Sequence, residues 1–307
     1  MGRVLQPFEY FEPATLDEAQ QLAAANDAQY IAGGCELVLG MRRGTARPQR
    51  VVSLSKIAGL DGFSCHPKIG LDVGAQVLLR ALANDIWVAK RWAALHEAID
   101  QLHPPHIANM GTLVGNLCCA MPYYDIPTAL MALRAELTLT GPKGERQVDI
   151  EDFYTGPGAT AVTSPEVVTK LTTPPPDANA ASAFRKIYRT RRRHDDLHKI
   201  NAAAYVVLDT ERDVVTDATV VIGSWDYKPV RIAAAETAVT GAPATTESYV
   251  KAAKIAVDAM EPLTDVAWIE DVRAQHARVL VRDVLEQAAS RARSKYDPAE
   301  DLDTIEG

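Results

Sequence analysis

The chain has 307 residues, 47% of them hydrophobic, and a formal net charge of −8. That length allows about two domains, and the negative charge argues against general nucleic-acid binding. No run of eighteen apolar residues occurs and the opening MGRVLQPFEYFEP is too polar for a signal peptide, so no membrane span is expected and the default location is cytoplasmic.

The first element is a helix after residue 15: Thr15 and Glu18 form a capping-box pattern, and Leu16, Ala19, Leu22 and Ala23 recur at helical spacing. YIAGGCELVLGMRRG follows at 30–44, a short apolar segment, a double glycine and an apolar run that opens a second helix. Arg50 to Leu54 reads as a strand, then turn-rich sequence, then Ile69 to Ala75 as a strand. Ala81 to Leu102 has a helical pattern. Leu137 to Thr140 and Arg146 to Ile150 flank Gly141-Pro142-Lys143-Gly144 as a hairpin. Tyr154 to Gly158 reads as a loop, and Glu166 to Thr173 as a strand ended by prolines. Pro174 to Ala181 is the best candidate boundary. Beyond it, Ala183 to Tyr188, Ala202 to Asp209 and Val214 to Ile222 read as strands of another sheet. Thr246 to Met260 and Asp271 to Ala292 read as helices, and the acidic end as a frayed tail.

The most informative stretch runs from His106 to Leu133. Gly111 and Gly115 sit four apart among Asn109, Thr112 and Asn116. Glycine permits positive φ and close backbone approach, and such a run either serves a plain turn or aims N–H groups at an anion such as a pyrophosphate. Tyr124 to Leu133 reads as a helix behind it, so Asp125 either caps that helix or accepts a hydrogen bond from a ligand hydroxyl. The stretch is neither a GK[ST] phosphate loop nor a GxGxxG fingerprint.

Cys35, Cys65, Cys118 and Cys119 form no CxxC pair, which indicates free thiols and no zinc or iron–sulfur site. His103 and His106 flank Pro104-Pro105 as turn residues, with His106 close enough to the second loop to touch a ligand. His194 and His198 do not form a helical metal pair. Arg189, Arg191, Arg192 and Arg193 make a solvated basic face. No residue reads as a catalytic acid, base or nucleophile.

AGGCEL at 32–37, NMGTLVGNL at 109–117, YTGPG at 154–158, PVR at 229–231 and the Thr240-Gly241 pair occur in order. Together they resemble the FAD-binding medium subunit, or domain, of the molybdenum hydroxylases, the group that includes xanthine dehydrogenase, carbon monoxide dehydrogenase and 4-hydroxybenzoyl-CoA reductase. The resemblance covers roughly residues 5–290. It implies an α+β fold: a two-subdomain FAD-binding domain of the PCMH type over 1–176 (about 1–57 and 58–176), a smaller C-terminal α/β domain over 182–292 and a tail at 293–307.

It further implies that Ala32, Gly33, Gly34, Cys35, Glu36 and Leu37 contact the pyrophosphate, and that Gly111, Thr112, Leu113, Gly115 and Asn116 contact pyrophosphate and adenosine. Asp125 matches an acid that binds the ribityl chain or nearby hydroxyls, Val168 an aliphatic residue beside adenine or isoalloxazine, and Lys186 a lysine near the flavin's pyrimidine end. The segment around the arginine cluster, with Asp195 or Asp196, would shape access for a carrier or a partner surface. Cys35 in place of Thr, Val114 in place of Gly and Val77 near a frequent Thr are departures from the pattern. No cysteine-bearing insertion is present, so FAD is expected without a 4Fe-4S cluster on this chain.

The implied partners are a large chain with the molybdenum-pterin cofactor and a small chain with two 2Fe-2S clusters, assembled as a dimer of heterotrimers. The external carrier would be NAD, quinone, ferredoxin or oxygen. Two other readings compete with the electron-transfer one. One is a structural subunit of the same complex that lost its flavin. The other is a stand-alone FAD-dependent reductase, whose C-terminal domain would differ from the one seen from about residue 180.

Overall fold

The computed structural model describes residues 5–25, 27–102, 104–187, 200–260 and 270–294. The first unit holds β1 (Glu9–Phe11), α1 (Leu16–Ala23), β2 (Ala28–Ile31), α2 (Cys35–Arg43) and β3 (Arg50–Ser53). β3 lies between β1 and β2, parallel to both. Parallel neighbours need long crossovers, which α1 and α2 provide. Half of the capping box of α1 forms as expected: the Thr15 hydroxyl accepts from the Glu18 N–H at 3.2 Å, while the Glu18 carboxylate reaches past Thr15 and accepts from the Ala14 N–H at 3.0 Å.

The second unit runs through β4 (Phe63–His66), β5 (Gly70–Gly74), α3 (Leu79–Ala83), α4 (Ile86–Arg91), α5 (Ala93–Asp100), a 3-10 turn at Pro105–Asn109, α6 (Leu113–Cys118), α7 (Ile126–Ala132), β6 (Glu136–Gly141), β7 (Gly144–Asp149), α8 (Ile150–Phe153), β8 (Tyr154–Gly156), β9 (Ala159–Thr160) and β10 (Val167–Thr173). Its antiparallel sheet has the order β4-β5-β10-β6-β7. The single helix expected over 81–102 is three short ones. Asp85 starts α4 by accepting from the N–H groups of Trp87 and Val88, and Trp92 leaves helical geometry at φ −116°, ψ 46°. β4 lies in sequence read as turns, and the expected loop at 154–158 pairs with Ala159–Thr160.

The hairpin β6–β7 is locked to the start of β10 by Arg146, whose Nε donates to Glu166 Oε1 at 2.7 Å. That guanidinium hydrogen bond, helped by the Thr163 N–H and hydroxyl, holds the Glu166 carboxyl at about 2. The folded value lies below the usual ~4.3, so the contact contributes fully above that pH and is lost as pH falls through the folded value. Glu166→Gln is expected to remove this part of the acid slope. Thermal unfolding between about pH 5 and pH 2 checks it, with a small effect because the pair is partly solvated.

The third unit comprises β11 (Ala180–Ile187), β12 (Ile200–Asp209), β13 (Val214–Gly223), β14 (Val230–Arg231), α9 (Ala233–Val239), α10 (Thr246–Asp258) and α11 (Glu270–Arg293). The strands pair in order as an antiparallel sheet. Side chains alternate across a strand. On β12, Ala202, Ala204 and Val206 join the core under α9–α11, while Ala203 and Tyr205 join the core of the second unit. Phe184 and Val221 turn the same way as Ala203, towards α5 and α7. Burial of both faces explains the nearly continuous apolar runs of β12 and β13. Arg293 closes α11 and pairs with Asp213 at 2.8 Å, so it belongs to the helix and not to the tail. Among the described residues, no helix is long and apolar enough to cross a membrane. His103, the arginine cluster at 189–193, His194, Asp195, Asp196, His198 and residues 295–307 lie outside the described residues.

Candidate cofactor site

Two turns build the site. β2 ends at Ile31, Ala32 and Gly33 follow it, and Gly34 then reverses the chain with φ 71° at the N-cap of α2. No side chain caps this helix, and the first N–H with an intrahelical acceptor is that of Val38, bonded to Gly34 O at 3.0 Å. The N–H groups of Cys35, Glu36 and Leu37 therefore form an open helix N-terminus, the geometry that favours an anion.

The second turn is braced from behind. Arg80 donates to Asn109 Oδ1 at 3.0 Å and to Pro105 O at 3.3 Å. The Leu79 N–H donates to Gly111 O at 2.9 Å, and the Leu113 N–H donates to Val77 O at 3.1 Å. Thr112 caps α6 by accepting from the Gly115 N–H at 3.0 Å.

The turns meet backbone to backbone. A Cβ on Gly33 would lie 1.9 Å from Met110 O and 3.0 Å from Gly111 Cα. A Cβ on Gly111 would lie 3.8 Å from Cys35 Sγ. A third strand of chain joins them: the Tyr124 hydroxyl donates to Glu36 Oε2 at 2.9 Å, one residue before Asp125.

The expected residues divide by place. Ala32, Gly33, Gly34, Cys35, Glu36 and Leu37 form the first turn and the opening of α2. His106 is exposed in the 3-10 turn beside the second loop. Gly111 and Gly115 are used for close approach and not for positive φ, which neither has. The second loop also directs fewer N–H groups outward than a simple anion cradle: those of Gly111, Leu113, Gly115 and Asn116 all have acceptors inside the chain. The Leu113 and Val168 side chains are buried in the hydrophobic core. Asp125 occupies the N-cap position of α7 without capping it. Its carboxylate instead accepts from Lys186 Nζ at 2.5 Å and from Asn201 Nδ2 at 2.9 Å.

Burial pushes the Cys118 and Cys119 thiols up to about 12, with Glu36 and Cys35 adding to the effect on Cys119 and Cys119 to that on Cys118. Cys118 keeps exposed surface, whereas Cys119 is partly buried. Burial also raises Cys35. These thiols stay protonated near neutral pH, and among the described residues no group of three or more His, Cys, Asp or Glu side chains is placed to hold a metal.

The family model described as the FAD binding domain in molybdopterin dehydrogenase matches residues 6–176, more than half of the chain. The chain belongs to this family of FAD-binding domains. A second model, the CO dehydrogenase flavoprotein C-terminal domain, matches residues 182–288 of this FAD-binding protein. The nicotinate dehydrogenase FAD-subunit of Eubacterium barkeri is 30% identical over 80% of this chain and 83% of that relative. The carbon monoxide dehydrogenase medium chain of Afipia carboxidovorans is 28% identical over 94% of this chain and 98% of the relative. Among solved structures, quinoline 2-oxidoreductase from Pseudomonas putida 86 superposes with a TM-score of 0.85 at 26% identity, covering 95% of this chain and 100% of the other.

The residues fit FAD. They offer an uncapped helix N-terminus, glycine backbone with no room for a Cβ, and two buried amide atoms without partners, Asn116 Oδ1 and Gln76 Nε2. Gln76 carries no recognisable motif signal of its own. It immediately precedes Val77, which accepts from the second loop.

Proposed function

We propose that this chain is the FAD-binding medium subunit of a heteromeric molybdenum-dependent hydroxylase or dehydrogenase. It passes electrons between 2Fe-2S clusters of a small partner chain and an external carrier: NAD, quinone, ferredoxin or oxygen. Substrate chemistry then takes place on the molybdenum-pterin cofactor of a large partner chain, in a dimer of heterotrimers. The observation that carries the FAD assignment is the seating of Gly33 on Met110 and Gly111, which sets both glycine turns beside the open end of α2.

FAD, when bound, supplies one- and two-electron redox chemistry. The chain's own residues bind and orient it. The N–H groups of Cys35, Glu36 and Leu37 hold the pyrophosphate through hydrogen bonds and the helix dipole. Gly111, Thr112 and Asn116 close the second side. Lys186 would supply the positive charge that the resemblance expects near the pyrimidine end of the ring, offset by the Asp125 carboxylate it pairs with. A partner chain is further supported by α2 itself. None of its nine residues is buried, and Val38 and Leu39 are exposed on it.

The test is flavin content. Purified with its natural partners, the chain is expected to carry close to one FAD per copy, read by absorbance after denaturing release. A colourless complex that takes up no added FAD would refute the assignment. Flavin without co-purifying iron and molybdenum would refute the partner assignment alone.

A further inference from the structure

Tyr154 opens the YTGPG motif and packs into the hydrophobic core. Its ring meets Phe153 edge-on, with centroids 5.2 Å apart at 79°. The residue is 4% exposed, and its hydroxyl has no hydrogen-bond partner among the described residues. Tyr30, Tyr124 and Tyr205, by contrast, donate within the chain: to Pro165 O at 2.8 Å, Glu36 Oε2 at 2.9 Å and Asp177 Oδ2 at 3.2 Å. A hydroxyl left unpaired in a core costs stability, and a phenylalanine of the same shape would avoid that cost. The Tyr154 hydroxyl therefore calls for a partner from outside the chain.

Its surroundings lead back to the cofactor site. Cys119 continues the helical geometry of α6, with φ −67° and ψ −21°, and its thiol donates to Gly115 O at 3.0 Å. Asn116 and Cys119, three apart, thus share one face of that helix. Asn116 belongs to the second glycine loop, and its buried Oδ1 also lacks a partner. Burial raises the Cys119 thiol, and Glu36 and Cys35, at the open end of α2, are near enough to raise it further. Burial likewise raises the Tyr154 phenol well above its usual range, with the nearby Cys118 and Cys119 thiols adding to it. The same end of α6 therefore neighbours both the first turn and Tyr154.

A neutral phenol donates and accepts, whereas an amide oxygen only accepts. Both unmatched groups suit a ligand hydroxyl, which gives its proton to the amide oxygen and takes one from the phenol. FAD carries such hydroxyls on its ribityl chain and its ribose.

We infer that Tyr154 is a further cofactor-binding residue: its hydroxyl makes its hydrogen bond to a polar atom of bound FAD, beside the face of α6 that carries Asn116 and Cys119. This rests on the FAD reading above. It gives Tyr154→Phe opposite effects on the two forms of the protein. The FAD-free form loses an unpaired buried hydroxyl, and the loaded form loses a bond.

The experiment compares wild type, Tyr154→Phe and Tyr205→Phe as full chains with their natural partners. Flavin is removed and titrated back, and thermal unfolding is followed with and without FAD. Tyr154→Phe is expected to bind FAD roughly tenfold more weakly, while its FAD-free form melts at or above the wild-type temperature. Tyr205→Phe, which loses a bond made inside the chain, is expected to melt lower and to bind FAD as wild type does. Unchanged FAD affinity in Tyr154→Phe, whatever its melting temperature, would overturn the inference and leave the hydroxyl to a bound water. Weaker binding together with a lower melting temperature of the FAD-free form would also overturn it, because the hydroxyl would then be holding the fold. A wild-type complex that takes up no FAD would overturn the FAD reading, and this inference with it.

Discussion

Gly33→Ala is expected to strip most of the FAD from the protein and to destabilise it. The added Cβ would sit 1.9 Å from Met110 O and 2.8 Å from Met110 C, and both atoms are backbone. No side-chain rotation relieves that overlap, so the turns must separate. Overpacking costs roughly 1–3 kcal/mol where neighbours can adjust, and a backbone-on-backbone contact belongs at or above the top of that range. Separation also moves the open end of α2 away from the second loop, which removes the geometry proposed for the pyrophosphate. Gly62→Ala is the control: nothing lies within 4 Å of its would-be Cβ, and its φ is not left-handed. Flavin absorbance per chain and urea unfolding of both variants check the prediction. Full FAD content in Gly33→Ala would mean that the contact between the turns is irrelevant to binding.

Lys186→Met should be the other large effect. The ammonium and the Asp125 carboxylate are each 3% exposed, so solvent does not screen their contact. Removing one partner takes an opposite charge away from a buried group that keeps its other hydrogen bonds, at a cost of up to roughly 3–5 kcal/mol. A domain is typically stable by ~5–15 kcal/mol, so this is a large fraction. Asp125→Asn should cost a similar amount. The double variant, with both charges gone, should recover a substantial part, giving a clear coupling in a double-mutant cycle. Urea midpoints at constant slope provide the measurement, on apo and FAD-loaded protein separately. Single variants costing under ~1 kcal/mol, with no recovery in the double, would show that Lys186 and Asp125 are not a coupled pair.

These two predictions divide along what can be read in a linear chain. Gly33, Gly34, Gly111 and Gly115 are visible because glycine is needed where the chain makes a close approach or, at Gly34, takes a positive φ, and the residue type is read directly from the sequence. The capping box at Thr15 and Glu18 is local in the same way, and so is the hairpin at Gly141–Gly144. The family resemblance added the order and spacing of five such motifs. It led to the FAD-binding family that the comparisons establish.

Other features depended on neighbours far along the chain. The 81–102 stretch has helical periodicity, yet Asp85 and Trp92 break it because capping and packing outweigh propensity. Asp125 stands at a helix start and looks like a cap. Its carboxylate turns away because Lys186 and Asn201 arrive from another sheet, 61 and 76 residues later. A cation and an amide in low dielectric bind a carboxylate more strongly than exposed N–H groups do.

The sequence by itself determined the turns, the order of the motifs, the thiols without a metal pattern and the family. Only the tertiary structure decided that Gly33 rests on Met110, that one sheet is buried on both faces, and that Asn201 holds Asp125. The physical reason is the range of the forces involved. Turn geometry and capping act within about four residues, where the sequence records them directly. Close packing and buried charge pairing act between groups that only folding brings together, and any of several residues of the right type could have supplied them.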